Sequence, residues 1–195
     1  MAEIELPNTE ELEEIKTKRF TRRVALTTAL YAVILAVTAL GGNNSMKEML
    51  LAQQEAADQW AFYQAKALRE TIYKVERSNL EADFQERAQY LKPDARARFE
   101  GRIKKAADEE ARYAAEKKDI EGDAKKAEHE RDLNKKKNPY FDLAEVLLQI
   151  SVVMASIAIL SSSRPVFCFS LAVAVMGAIL SFNGFTLIFR VPFLG

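Results

Sequence analysis

The chain has 195 residues, and 28 Lys plus Arg balance 28 Asp plus Glu, so no net charge draws it toward nucleic acid or acidic ligands. One Cys excludes an internal disulfide framework, and one His argues against a His-based metal site. Charge is segregated: residues 44–141 hold 41 of the 56 charged side chains, while 24–43, 146–163 and 165–189 hold none, which excludes a simple water-soluble globule.

Residues 1–23 read as an acidic then basic tail. Glu3, Glu5, Glu10, Glu11, Glu13 and Glu14 come first, then Lys16, Lys18, Arg19, Arg22 and Arg23. Residues 24–42 form an uncharged run of 19, long enough for a bilayer core of about 30 Å. Its leader is too long and too acidic for a secretory signal peptide, so an uncleaved anchor is expected. The basic cluster before it places the N-terminus in the cytoplasm. Gly41-Gly42 is read as the end of this helix.

Residues 45–91 lack Pro and Gly and are rich in good helix formers. Leu50, Ala57, Ala61, Gln64, Leu68, Ile72 and Val75 recur mostly at steps of three and four, which predicts the seam of a helical hairpin. Trp60, Ala61, Phe62 and Tyr63 point in four directions around that helix, more than one partner helix covers. Trp60, Phe62 and Tyr63 are therefore expected at a contact between subunits, where Trp and Tyr are favoured.

The string Asp58-Gln59-Trp60-Ala61-Phe62-Tyr63-Gln64-Ala65-Lys66, just after a first span, resembles a bacterial family of small inner-membrane proteins known only as a domain of unknown function. The plan is similar too: one span, a long charged helical region, two closing spans. The resemblance implies a bacterial inner-membrane location and no activity, cofactor or site. Members of that family carry a more basic turn between the last two spans, where this chain has Arg164 alone.

A break is expected at Leu91-Lys92-Pro93-Asp94, since Pro suits the first turn of a new helix and Asp its positive end. Residues 94–137 then read as a second arm, tolerating Gly101 and Gly122, with Phe99, Ile103, Ala106, Tyr113, Ile120, Ala124 and Ala127 as its seam. Asn138-Pro139 is read as its stop. The arms have near-equal lengths of about 65–70 Å at 1.5 Å per residue, so an antiparallel hairpin over 43–139, turning near 92–94, closes between spans one and two. Lys135, Lys136 and Lys137 read as a solvated helix end favoured by the dipole. His129 reads as solvated, and Cys168 as a buried apolar residue.

Residues 140–161 form a second span. Asp142, Glu145, Gln149 and Ser156 fall on one arc of it, and such groups face a bundle interior or water. A short turn leads to a third span at 165–189. Small residues make a stripe in each span: Ala25, Ala29, Ala32, Ala36, Ala39; Ala144, Ser151, Ala155, Ala158, Ser162; and Ser170, Ala174, Gly177, Ser181, Gly184. Such stripes let helix backbones approach closely.

The reading is an all-α membrane protein with three transmembrane helices and a long antiparallel helical hairpin between the first and second. Its expected location is the bacterial cytoplasmic membrane, with the N-terminus inside and the hairpin outside. No nucleophile–base set, metal spacing or phosphate loop occurs, so no enzyme, cofactor or nucleic-acid role is expected. A structural, self-assembling membrane anchor and coiled-coil stalk is expected, partnered by the bilayer and its own copies, with other membrane or periplasmic proteins left open. The alternative is an oligomeric channel or transport component lined by the Asp142, Glu145 and Gln149 face.

Overall fold

A computed structural model describes residues 9–191, with side chains from Glu14 onward; most of the acidic run from Glu3 to Glu14 lies outside the described side chains. Helix α1 runs Thr9–Arg87, a 3-10 turn covers Ala88–Tyr90, α2 runs Pro93–Ser161 and α3 runs Arg164–Thr186. No strand occurs among the described residues. Each helix contains a stretch long and apolar enough to cross a membrane. The chain divides into two compact units: Leu50–Asp132, and the segments up to Met49 and from Leu133 onward.

Two expected helix breaks are absent. Helix α1 continues through Gly41 and Gly42, and α2 continues through Pro139. A helical Gly costs about 0.5–1 kcal/mol relative to Ala, and a helical Pro about 3 kcal/mol. Packing offsets both costs. A Cβ at Gly41 would lie 2.6 Å from Phe185 Cζ and 2.7 Å from Phe141 Cε1. The glycines thus open a slot for an aromatic ring. Tyr140 and Phe141, directly after Pro139, are each only 2% exposed. Burying an aromatic of this size contributes about 1.5–3 kcal/mol.

In the first unit, the three span segments pack around Val24, Tyr31, Leu148, Ala155 and Ala174. The stripe of span three is buried at Ser170, Ala174, Gly177, Ser181 and Gly184, and that of span two at Ala144, Ser151, Ala155 and Ala158, whereas Ser162 is exposed because α2 ends one residue before it. A Cβ on Gly177 would lie 3.2 Å from the Ala144 carbonyl, so the absence of a side chain there permits close approach. Hydroxyls seal the contacts: Thr38 Oγ1 bonds Ser181 Oγ at 2.8 Å, and Ser170 Oγ donates to the Ser151 carbonyl at 2.8 Å. Span one departs from expectation. It packs through Val24, Tyr31, Thr38, Gly41 and Ser45, while Ala25, Ala29, Ala32 and Ala36 are exposed. Larger side chains and the Thr38 hydroxyl bury more and bond more than the alanine row offers, so they take the inner face.

Helix α3 ends at Thr186, three residues before the expected end of its span. Leu187 takes the left-handed conformation at φ 50°. The chain then folds back on Asn183, whose Nδ2 donates to the Phe189 carbonyl at 2.8 Å and whose Oδ1 accepts the Phe189 N–H at 3.0 Å.

In the second unit, the arms of α1 and α2 run antiparallel, and cross-arm partners fall in number along α2 as they rise along α1: Trp60 with Glu128, Glu70 with Lys117, Arg77 with Glu110 and Phe84 with Phe99. The turn lies where expected. The Lys92 carbonyl accepts the N–H groups of Ala95 and Arg96, each at 3.0 Å, opening α2 at Pro93.

Candidate functional site

The hairpin seam forms through a different face of the first arm than the periodicity predicts. The second arm does bury Ala106, Tyr113, Ala124 and Ala127. On the first arm, the inward side chains are Ala52, Ala56, Trp60, Tyr63, Lys66, Glu70, Tyr73, Arg77 and Leu80, all buried or half-buried. Leu50, Leu68, Ile72 and Val75 are 58%, 63%, 54% and 52% exposed, and Ala57, Ala61 and Gln64 are exposed with them.

The physical reason is pairing. Lys66 bonds Glu116, Lys117 Nζ meets Glu70 Oε2 at 2.5 Å, and Arg77 Nε lies 3.2 Å from Glu110 Oε2. The charged residues on the second arm's inner line, Glu110 and Lys117, demand charged partners, which the apolar stripe of the first arm lacks. The Lys66 hydrogen bond holds the Glu116 carboxyl below its ordinary 4.5, and the Glu70 hydrogen bond raises the Lys117 ammonium above its ordinary 10.5. Tyr113 stacks on Tyr73 at 5.6 Å, with the Arg112 guanidinium 4.8 Å from its ring centre. The Arg69 hydrogen bond lowers the Tyr113 phenol from its ordinary 10.0.

Of the three residues expected at a subunit contact, Trp60 and Tyr63 are half-buried on the hairpin side. Trp60 Nε1 donates to Glu128 Oε1 at 3.1 Å, and its ring meets Tyr63 edge-on at 5.3 Å. Phe62 is 59% exposed.

The outward side of α1 in this unit is a continuous uncharged face. Leu50, Ala57, Gln64 and Thr71 form one row of seven-residue steps, and Gln54, Ala61, Leu68 and Val75 form another, with Ala65 and Ile72 beside them. These two rows are the a and d pattern of a coiled-coil seam. All ten side chains are exposed, and none is charged. At 1.5 Å per residue the face is about 38 Å long. Periodicity revealed the stripe, while its outward direction emerges only from the cross-arm ion pairs.

The polar arc of span two is satisfied within its own helix. Asn138 Nδ2 donates to Asp142 Oδ2 at 3.3 Å, and Gln149 Nε2 donates to Glu145 Oε1 at 3.1 Å. Asp142 and Gln149 are exposed and Glu145 is half-buried. Among the described residues, no group of three His, Cys, Asp or Glu side chains is placed to hold a metal ion. His129 is exposed; Cys168 is exposed as well, contrary to its expected burial, because α3 packs through the Ser170, Ala174 and Gly177 line instead.

A cleft of about 400 Å³ lies where Lys16, Arg19 and Arg23 of α1 meet Arg164 of α3. The linear pattern marks these cations only as orientation signals, and nothing in it brings Arg164 beside the other three.

No curated protein and no solved structure matches the chain. The family described as "Domain of unknown function (DUF4337)" matches it over residues 20–187, which takes in the parts of all three helices that build both units, and the chain belongs to that family.

Proposed function

We propose that this is a structural, self-assembling protein of the bacterial cytoplasmic membrane, in which copies associate through the outward face of α1. The observation that carries the reading is the uncharged, exposed face from Leu50 to Val75 on a helix whose other side is already committed to its hairpin partner. The hairpin side is taken up by Trp60 and the cross-arm ion pairs, so the uncharged outward face needs a partner of its own.

A second copy suits this face. Leu50 follows the span at 24–42 by eight residues in every copy, so copies in one bilayer present their faces in parallel. Each row then meets its own equivalent: Leu50 on Leu50, Leu68 on Leu68, Val75 on Val75. No like charges are apposed along the rows, and Gln54 and Gln64 meet their own amides, a device that fixes register in coiled coils. The basic cluster before span one supports an orientation with the N-terminus in the cytoplasm and the hairpin outside. Catalysis, cofactors and nucleic acid have no part in this reading. A pore lined by Asp142, Glu145 and Gln149 draws less support, because Asp142 and Glu145 each bond an amide four residues away on their own helix.

The test is the mass of the detergent-solubilised particle. Wild type is expected as an oligomer, and Leu68→Glu with Ile72→Glu is expected to run at smaller mass with helicity retained. A monomeric wild type, or an oligomer indifferent to both charges, contradicts the proposal.

A further inference from the structure

We propose that the basic cleft between α1 and the start of α3 binds a phosphate group, supplied by the headgroup of an anionic phospholipid. Lys16, Arg19 and Arg23 stand at steps of three and four, so they share one face of α1. Arg164 reaches the same cleft from the first residue of α3. The apolar side of the cleft is Phe20 against Phe167, edge to face with ring centres 6.0 Å apart.

These arginines differ from the basic residues of the hairpin, where Lys66, Arg77 and Lys117 have carboxylate partners. Every residue three or four positions from Arg19, Arg23 or Arg164 is neutral or cationic. The nearby ion pair among the described residues joins Lys18 to Glu14 and leaves the cleft out. Cations gathered around one cavity repel one another, and an anion between them turns that repulsion into attraction. A phosphate is the anion that guanidinium groups hold in two-pronged fashion. The N-terminus of the 23-residue α3 lies at the same place without a side-chain cap, and its positive end adds to the field.

The lipid source follows from position. Arg23 directly precedes the apolar run of span one, and Arg164 directly precedes that of span three. Both therefore stand at the boundary between hydrocarbon and headgroups, where a phospholipid phosphate resides and its acyl chains reach apolar surface. Free phosphate presents the same chemistry to the arginines, and the experiment separates the two.

The full chain is purified in mild detergent, and bound lipid is counted by native mass spectrometry after addition of phosphatidylglycerol, phosphatidic acid or zwitterionic phosphatidylcholine. Retention of the anionic lipids is expected to exceed that of phosphatidylcholine by about tenfold or more, since each cation at an anionic surface contributes several-fold. Arg19→Gln with Arg164→Gln is expected to abolish that preference. Arg164→Lys is expected to keep most of it, which separates loss of charge from loss of fold. Lys135→Gln with Lys136→Gln is expected to leave it unchanged. Millimolar inorganic phosphate that displaces the lipid would assign the site to the phosphate group from either source; lipid retained against it would assign the site to the headgroup at the membrane. The proposal is overturned if phosphatidylcholine is retained equally and phosphate does not bind. Equal losses from the Arg19/Arg164 and Lys135/Lys136 pairs would overturn it too, because only diffuse basicity would then be at work.

Discussion

Trp60 donates its indole N–H to Glu128 across 3.1 Å, joining the two arms of the hairpin at the only Trp in the chain. An aromatic residue that sequence alone assigns to a subunit contact is thereby occupied within one chain. Trp60→Ala is expected to loosen the hairpin by about 2 kcal/mol, below the roughly 3–5 kcal/mol of a fully buried Trp, because this side chain is half-buried. Hydrogen exchange is the measurement: protection should fall in 50–132 and hold in the spans. Unchanged protection around Glu128 would show that the contact contributes nothing.

The hairpin should weaken at both extremes of pH. Glu116 is held below its ordinary 4.5 by the Lys66 hydrogen bond, so its contribution is present above that value and lost as pH falls through the lowered one. Lys117 is raised above 10.5 by Glu70, so its contribution is present below 10.5 and lost as pH rises through the raised value. Spin labels at Phe62 and Lys118 should give a narrow distance distribution at pH 7 that broadens as pH falls well below 4.5. Both pairs are partly exposed, so high salt should produce a milder version of the same change.

Two classes of glycine should respond to alanine with opposite sign. Gly41→Ala places a methyl 2.6 Å from Phe185 Cζ, and Gly184→Ala places one 2.9 Å from Phe141 Cε1. Overpacking of this kind costs about 1–3 kcal/mol. A Cβ at Gly101 or Gly122 meets nothing within 4 Å, so alanine there should stabilise the helix by about 0.5–1 kcal/mol. Thermal melts followed by circular dichroism in detergent decide both. A stabilising Gly41→Ala would mean that the Phe141 slot does not form.

The architecture was legible because its signals are strong and local. Three uncharged stretches and one Pro93 place the spans and the hairpin turn. Gly42 and Pro139 do not end their helices, because local propensity is weak against tertiary burial, here the seating of Phe141 between Gly41, Gly42 and Gly184. The first arm carried a genuine apolar stripe, yet a heptad pattern does not say which neighbour it meets. Lys66, Glu70 and Arg77 decide that by pairing across the hairpin, and nothing local to the first arm announces those partners. The basic cleft was invisible for a similar reason, since Arg164 lies 141 positions after Arg23 in the chain.

Exposed apolar residues on the alanine row of span one have a different expected fate from those on the outward face of the hairpin. Ala25, Ala29, Ala32 and Ala36 fit lipid as well as protein, so Ala29→Leu should leave the particle mass unchanged. A shift to smaller mass would extend the subunit contact into the membrane.

The central claim is that copies meet in parallel along the outward face of α1. The most direct measurement is cross-linking of single cysteines in native membranes, in a Cys168→Ser background because Cys168 is exposed. Leu68→Cys and Val75→Cys should each yield a disulfide-linked dimer on mild oxidation, since equivalent residues face one another in a parallel pair. Asp119→Cys, exposed on the second arm, should not. Absence of dimer at both Leu68 and Val75, or dimer at Asp119 in equal yield, would contradict the account.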